Sequence, residues 1–394
     1  MKKIFLFLLA FIFGLYDTTN AQQINKNVLK AEDAIVGASR MGLYLNKLKE
    51  KNIGVIGNQT SIFNNTHLID TLLSEGVNVV KIFTPEHGFR GTADEGALIN
   101  NSIDEKTQLP IISLYGNNKK PNESQLKDID ILIFDLQDVG TRFYTYISTM
   151  TYIMEAAAEN NIPLIVLDRP NPNGFYVDGP VLEPENKSFV GLHQVPIVYG
   201  LTIGEYALMV NGEYWLSDSL QCDLTVIPMG NYKRNAIYEL PVKPSPNLPN
   251  WESVYLYPSL CFFEGTIVSV GRGTEFPFQV YGHPKMNDEF VFTPRQAEGR
   301  RAPMLCDEEC HGEYLTDYAH NYRRNTNQIK LDWIINAYNQ LKGEKFFNNF
   351  FVKLSGTKEL QQQIEQGMTE SEIRATWQDD LDNYKKIREK YLMY

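Results

Sequence analysis

Between residues 50 and 230 the chain alternates apolar runs with segments of helical spacing. "NIGVIGN" (52–58), "VNVVKIF" (77–83), "PIISLYG" (110–116), the stretch from Ile129 to Phe134 within "DIDILIFDLQDVG" (128–140), "IPLIVLDRPNP" (162–172) and "CDLTVIPM" (222–229) read as strands. Little polarity interrupts them, so both faces of each strand are expected to be buried. Between them, "HLIDTLLSEG" (67–76), "YISTMTYIMEAAAENN" (146–161) and "LTIGEYALMVNGEYW" (201–215) carry the spacing of helices. Strands that alternate with helices predict an α/β fold with a Rossmann-like parallel sheet covered on both faces.

Beyond residue 235 the pattern changes. "PVKPSPNLPNWES" (241–253) is proline-rich and predicts an extended linker or crossover. "CFFEGTIVSVGRGTEFPFQVYGHP" (261–284) alternates as strands do around a Gly-Arg-Gly-Thr turn. From Leu331 to Tyr394 the pattern is mostly helical, with a cap at Thr369 or Ser371 in "TESEIRATW". The expected organisation is a Rossmann-like domain over 22–235 and a smaller α+β C-terminal domain over 236–394. Residues 1–21 read as a signal peptide: Lys2 and Lys3, an apolar run over 4–15, then small Thr19 and Ala21. An exported protein, periplasmic or secreted, is expected. That run is too short for a membrane span, and no other stretch is long enough.

A net charge of −11 argues against nucleic acid and anionic membrane surfaces as partners. Four cysteines, Cys222, Cys261, Cys306 and Cys310, allow one or two disulfides in an oxidising compartment. "CDEECHGEY" (306–314) lacks the paired spacing of a zinc site, and structural thiols are the expectation. No strand is followed by G-x-G-x-x-G, so no dinucleotide cofactor is inferred. The histidines form no H-x-x-x-H pair, which argues against a metal hydrolase built on His87, His193 or His283 with Asp135. No G-x-S-x-G elbow points to a serine hydrolase. No cofactor and no metal are expected.

Open parallel sheets bind ligands beyond the carboxyl ends of their strands. Asn58, Gln59 and Thr60 follow the first strand, and Glu86, His87 and Arg90 the second. Asp135, Gln137, Asp138 and Arg142 follow the fourth; Asp168, Arg169, Asn171 and Asn173 follow the fifth. Each residue type is common in caps and turns. Four loops bringing carboxylates, amides and guanidiniums to one edge predict a polar binding site.

"TPEHGFRG", "DLQDVGTRFYTY", "LDRPNPNG", "KPSPNLP" and "FFEGTIVSVGRGTEFPFQVYG", in that order, resemble the motif set of the exo-β-N-acetylmuramidase (NamZ-like) family of glycoside hydrolases. The resemblance runs from about residue 40 to 390. It implies a pocket between a Rossmann-like domain and a smaller one, and release of N-acetylmuramic acid from the non-reducing end of peptidoglycan fragments. It implies Glu86 as a catalytic carboxylate with His87 beside it. Glycoside cleavage needs a proton donor and a means of stabilising a cationic sugar. The second group is Asp138, Glu264, Glu275 or the substrate's own 2-acetamido group, with Glu264 counted among the catalytic candidates. Muramic acid carries a lactyl carboxylate, for which an arginine is the natural reader. Arg90, Arg142, Arg169 and Arg272 are the candidates, and Asn58, Asp138, Asn171, Asn247 and Glu275 complete the expected substrate-binding set. The alternative is an exported protein that captures muropeptides or sugars without cleaving them.

Overall fold

The computed structural model describes residues 28–29, 33–85, 88–89, 102–297, 301–323 and 325–394. Its central sheet has seven strands: β1 (Asn52–Gly57), β2 (Asn78–Thr84), β3 (Ser102–Ile103), β4 (Pro110–Ser113), β5 (Ile131–Asp135), β6 (Leu164–Leu167) and β7 (Leu224–Ile227). Their order is β7-β6-β5-β1-β2-β4-β3. All neighbours run parallel except β3, which pairs antiparallel with β4 at the edge. The six predicted strands are present. The two residues of β3, both exposed, have no apolar run to announce them.

The continuous apolar runs have the cause expected of them. Along β5, Leu132 and Phe134 enter one apolar cluster while Ile131 and Ile133 enter the other. Along β6, Leu164 and Val166 face the first cluster and Ile165 and Leu167 the second. A strand with period-two side chains and helices on both sides needs apolar residues at every position. At Gly54 a Cβ would stand 2.9 Å from both Ile129 and Leu132, so β1 carries no side chain there.

Helices α1 (Leu68–Ser74), α2 (Glu123–Leu126), α3 (Tyr146–Glu159) and α4 (Ile203–Gly212) lie among the strands. Helix α3 is buried around nearly its whole circumference. The sheet covers one side, and the C-terminal half of the chain packs into the same cluster. That half begins with α5 (Trp251–Leu260), followed by a short 3₁₀ turn at Cys261–Gly265. A small antiparallel sheet comes next, from β8 (Val280–His283), β9 (Phe290–Phe292) and β10 (Cys310–Tyr314), in the order β8-β10-β9. Helices α6 (Thr316–Tyr322), α7 (Asp332–Gln340), α8 (Phe350–Ser355), α9 (Glu359–Glu365), α10 (Glu370–Thr376) and α11 (Gln378–Glu389) complete it. The expected cap at Thr369 forms a capping box with Glu372. The strand-like alternation over 261–284 is largely overturned, since only β8 within it is a strand of this small sheet. Positive φ at Gly271 and Gly273 turns the chain out of any ladder. The apolar positions between are buried by packing instead. Helix α5 was hidden by the proline-rich run before it and by Pro258 inside it. Its first turn is secured by a capping box between Asn250 and Ser253.

One apolar cluster contains Phe134, Tyr146 and Met150 together with Phe262, Phe351 and Trp377. The larger cluster is therefore shared by the two halves, while the second is closed within the N-terminal half. A fragment of residues 22–235 is expected to lack a cooperative urea transition and to have no activity, because the C-terminal half covers much of α3. Near-UV circular dichroism of that fragment matching its share of the full-length spectrum would contradict this.

Candidate active site

The strand order reverses around β1, whose neighbours β2 and β5 start the two wings of the sheet. Such a switch point opens a crevice at the carboxyl edge. Over that edge lies the loop of 241–250, which makes it more than a linker. Gln59 Nε2 donates to the Pro244 carbonyl at 3.2 Å and Tyr144 Oη to the same oxygen at 2.9 Å. The cleft beneath is lined by Tyr144, Tyr146, Tyr257, Asn247, Glu264 and Arg272, with Phe143, Phe278 and four others. Its void, mouth included, is about 630 Å³. That is room for about one sugar ring.

Three of the expected site residues meet in this cleft. Arg272 Nε donates to Glu264 Oε1 at 2.6 Å, and the guanidinium lies over the Phe278 ring at 5.0 Å. Both side chains are about one-quarter exposed, 25% and 23%. Asn247 stands on the proline-rich side. The other Glu264 oxygen accepts from the buried Cys261 thiol at 3.7 Å. Among the described lining residues, Glu264 is the only carboxylate and Arg272 the only cation.

Other expected ligands are used inside the fold. Arg142 is fully buried; Nη1 donates to the carbonyls of Pro180 and Val195, and Nη2 to those of Leu354 and Ser355. It staples the two halves and does not line the cleft. Arg169 is buried in a bidentate pair with Asp135, at 2.6 and 2.9 Å. Asn171 donates to the Leu201 carbonyl at 2.7 Å and accepts from the Asn173 amide at 2.8 Å, closing a turn. A Cβ on Gly140 would sit 2.0 Å from the Asn171 amide oxygen, and Gly140 has φ +80°, so glycine is required there twice over. Asn58 acts one step back: its amide donates at 2.6 Å to Tyr146 Oη, and its oxygen accepts from Thr60. Glu275 is exposed and absent from the lining. Glu86, His87 and Arg90 lie outside the described residues.

The aromatic wall was not singled out from the sequence. Its signal was present in "GTRFYTY" (140–146), where Phe143, Tyr144 and Tyr146 fall together. Tyr144 packs edge-to-face on Tyr146 at 4.7 Å and on Tyr257 at 6.2 Å. Rigid aromatic walls suit the apolar faces of a sugar ring.

Asp138 sits behind this wall. Burial pushes its carboxyl up to about 7, against hydrogen bonds from Tyr199 Oη and the Gly140 amide. Its Oδ1 is buried without a hydrogen-bond partner. A carboxyl whose folded pKa exceeds its unfolded value stabilises fully below the unfolded pKa, near 3.8, and loses that contribution as pH rises through about 7. Asp138→Asn is therefore expected to flatten the decline in stability between pH 5 and pH 8. Urea midpoints measured at both pH values check this, and an unchanged difference would remove Asp138 as its source.

The four cysteines are unpaired, so the disulfides that their even number allowed are not formed. Among the described residues, no His, Cys, Asp and Glu cluster could hold a metal ion, and no helix is long and apolar enough to cross a membrane.

Residues 53–252 match the N-terminal domain of exo-β-N-acetylmuramidase NamZ, and residues 255–394 match its C-terminal domain. The chain belongs to this family. The Bacillus subtilis (strain 168) peptidoglycan β-N-acetylmuramidase NamZ is 40% identical over 423 residues, covering 100% of both chains. Crystal structures of two DUF1343 family proteins from Bacteroides fragilis NCTC 9343 share the fold. One is 48% identical with a TM-score of 0.85, the other 31% identical with a TM-score of 0.79; each covers 92% of this chain and 99% of its own. The two NamZ domains meet between residues 252 and 255, at the start of α5. The cleft draws its lining from both sides of that boundary.

Proposed function

We propose that this protein is an exo-acting glycoside hydrolase that releases N-acetylmuramic acid from the non-reducing end of peptidoglycan fragments. The observation that carries the reading is full-length identity of 40% to the Bacillus subtilis peptidoglycan β-N-acetylmuramidase, with both NamZ domains matched. The cleft supports it: among its described lining residues are an aromatic wall for a sugar, one carboxylate and one guanidinium, in a space for about one ring. Glu86 is the proton donor in this reading. Glu264 then serves on the cationic sugar, a role suited to the anionic partner of Arg272. The "MKKIFLFLLAFIFGLYDTTNA" run supports export, with cell-wall turnover or recycling as the setting.

The test is incubation with two disaccharides, one ending in N-acetylmuramic acid at its non-reducing end and one in N-acetylglucosamine. Free N-acetylmuramic acid from the first and no product from the second are expected. Binding of the first without turnover would leave a capture protein instead.

A further inference from the structure

We propose that Cys261 is a positioning residue for the hydrolysis, its thiol and Arg272 together fixing the carboxylate of Glu264 in the cleft. This rests on the role given to Glu264 above. The placement follows from local structure. Cys261 closes α5, its amide donating to the Tyr257 carbonyl, and it opens the 3₁₀ turn Cys261–Gly265. Such a turn has three residues, so side chains at i and i+3 stand over one another. Cys261 and Glu264 are such a pair. Glu264 lines the cleft, as does Tyr257 one helical turn before Cys261, while the cysteine itself is buried behind them, 1% exposed.

The backbone of the turn has little room to shift. A Cβ on Gly265 would stand 2.4 Å from the Phe351 Cα, and Thr266 Oγ1 donates to the Phe263 carbonyl at 2.8 Å. What remains to be fixed is the long side chain of Glu264. Arg272 Nε donates to Oε1 at 2.6 Å, which holds one point and leaves the carboxylate to turn about it. The Cys261 thiol donates to Oε2 at 3.7 Å, and this second hold sets the carboxylate plane. Burial pushes the thiol pKa well above its ordinary range, so the sulfur stays protonated and donating at neutral pH. An anion that serves a cationic sugar acts through the direction its oxygens face, so this orientation bears on kcat.

A cysteine that merely fills space predicts something different. Buried Cys also behaves as a small apolar group. Its loss would then lower stability, and any fall in activity would be independent of Glu264 and alike for Ala and Ser. A positioning thiol acts through Glu264, and a hydroxyl, which also donates, replaces it in part.

The experiment is a double-mutant cycle on the full-length protein with the 4-nitrophenyl β-glycoside of N-acetylmuramic acid. Cys261→Ala should lower kcat about tenfold, the weaker end of a hydrogen bond to a charged group, and leave KM within about twofold. Cys261→Ser should recover most of that kcat. In a Glu264→Ala background the same change at Cys261 should alter the residual kcat by less than about twofold, because the group it acts through is gone. Thermal melts of all variants separate folding from rate: Ser is expected to restore kcat without restoring stability. An equal loss of kcat with and without Glu264, a Ser variant no better than Ala, or an unchanged kcat in Cys261→Ala overturns the proposal. Glu264→Ala with near-wild-type kcat refutes the role of Glu264 itself and the proposal with it, whereas the other contrary results leave that role standing.

Discussion

Glu86→Gln should lower kcat for release of N-acetylmuramic acid by about 10²–10⁴-fold, the span usual for removing a general acid. KM should change little, because the amide keeps the size and the hydrogen-bonding oxygen of the acid. Two lines lead to this residue. In sequence it follows Pro85, just past β2, a central strand whose carboxyl end borders the switch point of the sheet. In the cleft, the only carboxylate among the described lining residues is Glu264, already engaged by Arg272 and Cys261. Protonation of the leaving oxygen then needs a second carboxyl group, and the family motif "PEHG" supplies one. A Glu86→Gln enzyme with more than a tenth of the wild-type kcat would sink the assignment.

Arg142→Met should destabilise the protein by about 3–5 kcal/mol and leave KM of the surviving folded fraction unchanged. The side chain is fully buried, and four carbonyl oxygens from two distant segments converge on its terminal nitrogens. Methionine fills much of the space but donates nothing. Each orphaned acceptor costs about 1–3 kcal/mol, less what relaxation recovers. Gly356 shows how tight the site is: a Cβ there would stand 2.4 Å from Arg142 Nη2. Urea unfolding reads the loss. Full stability with a raised KM would restore Arg142 to the substrate-binding set.

Arg142 also marks where sequence reasoning stops. "DVGTRFYTY" is a family motif, and an arginine in it looks like a ligand. Its acceptors at Leu354 and Ser355 lie more than two hundred positions along the chain, and nothing local records that crossing. Asn58, Arg169 and Asn171 show a related ambiguity. They do lie at the carboxyl edge, as strand ends require, yet their hydrogen bonds hold the edge loops in shape. The same polar residue types serve turns and ligands, and only packing separates them. The sheet was legible because burial on both faces leaves an unbroken apolar run, and α1, α3 and α4 were legible by period. Glu264, Arg272 and Asn247 line one cleft, and what singles them out in the sequence is their place in family motifs, not spacing. The tyrosine wall stayed hidden because aromatic residues are more often core than site.

The most direct test of the central claim is product analysis with a tetrasaccharide of alternating N-acetylmuramic acid and N-acetylglucosamine, N-acetylmuramic acid at its non-reducing end. An exo-acting β-N-acetylmuramidase releases one equivalent of N-acetylmuramic acid and then stops at the newly exposed N-acetylglucosamine, leaving a trisaccharide. Disaccharide products from internal cleavage, or intact tetrasaccharide recovered after prolonged incubation with stoichiometric enzyme, would contradict it.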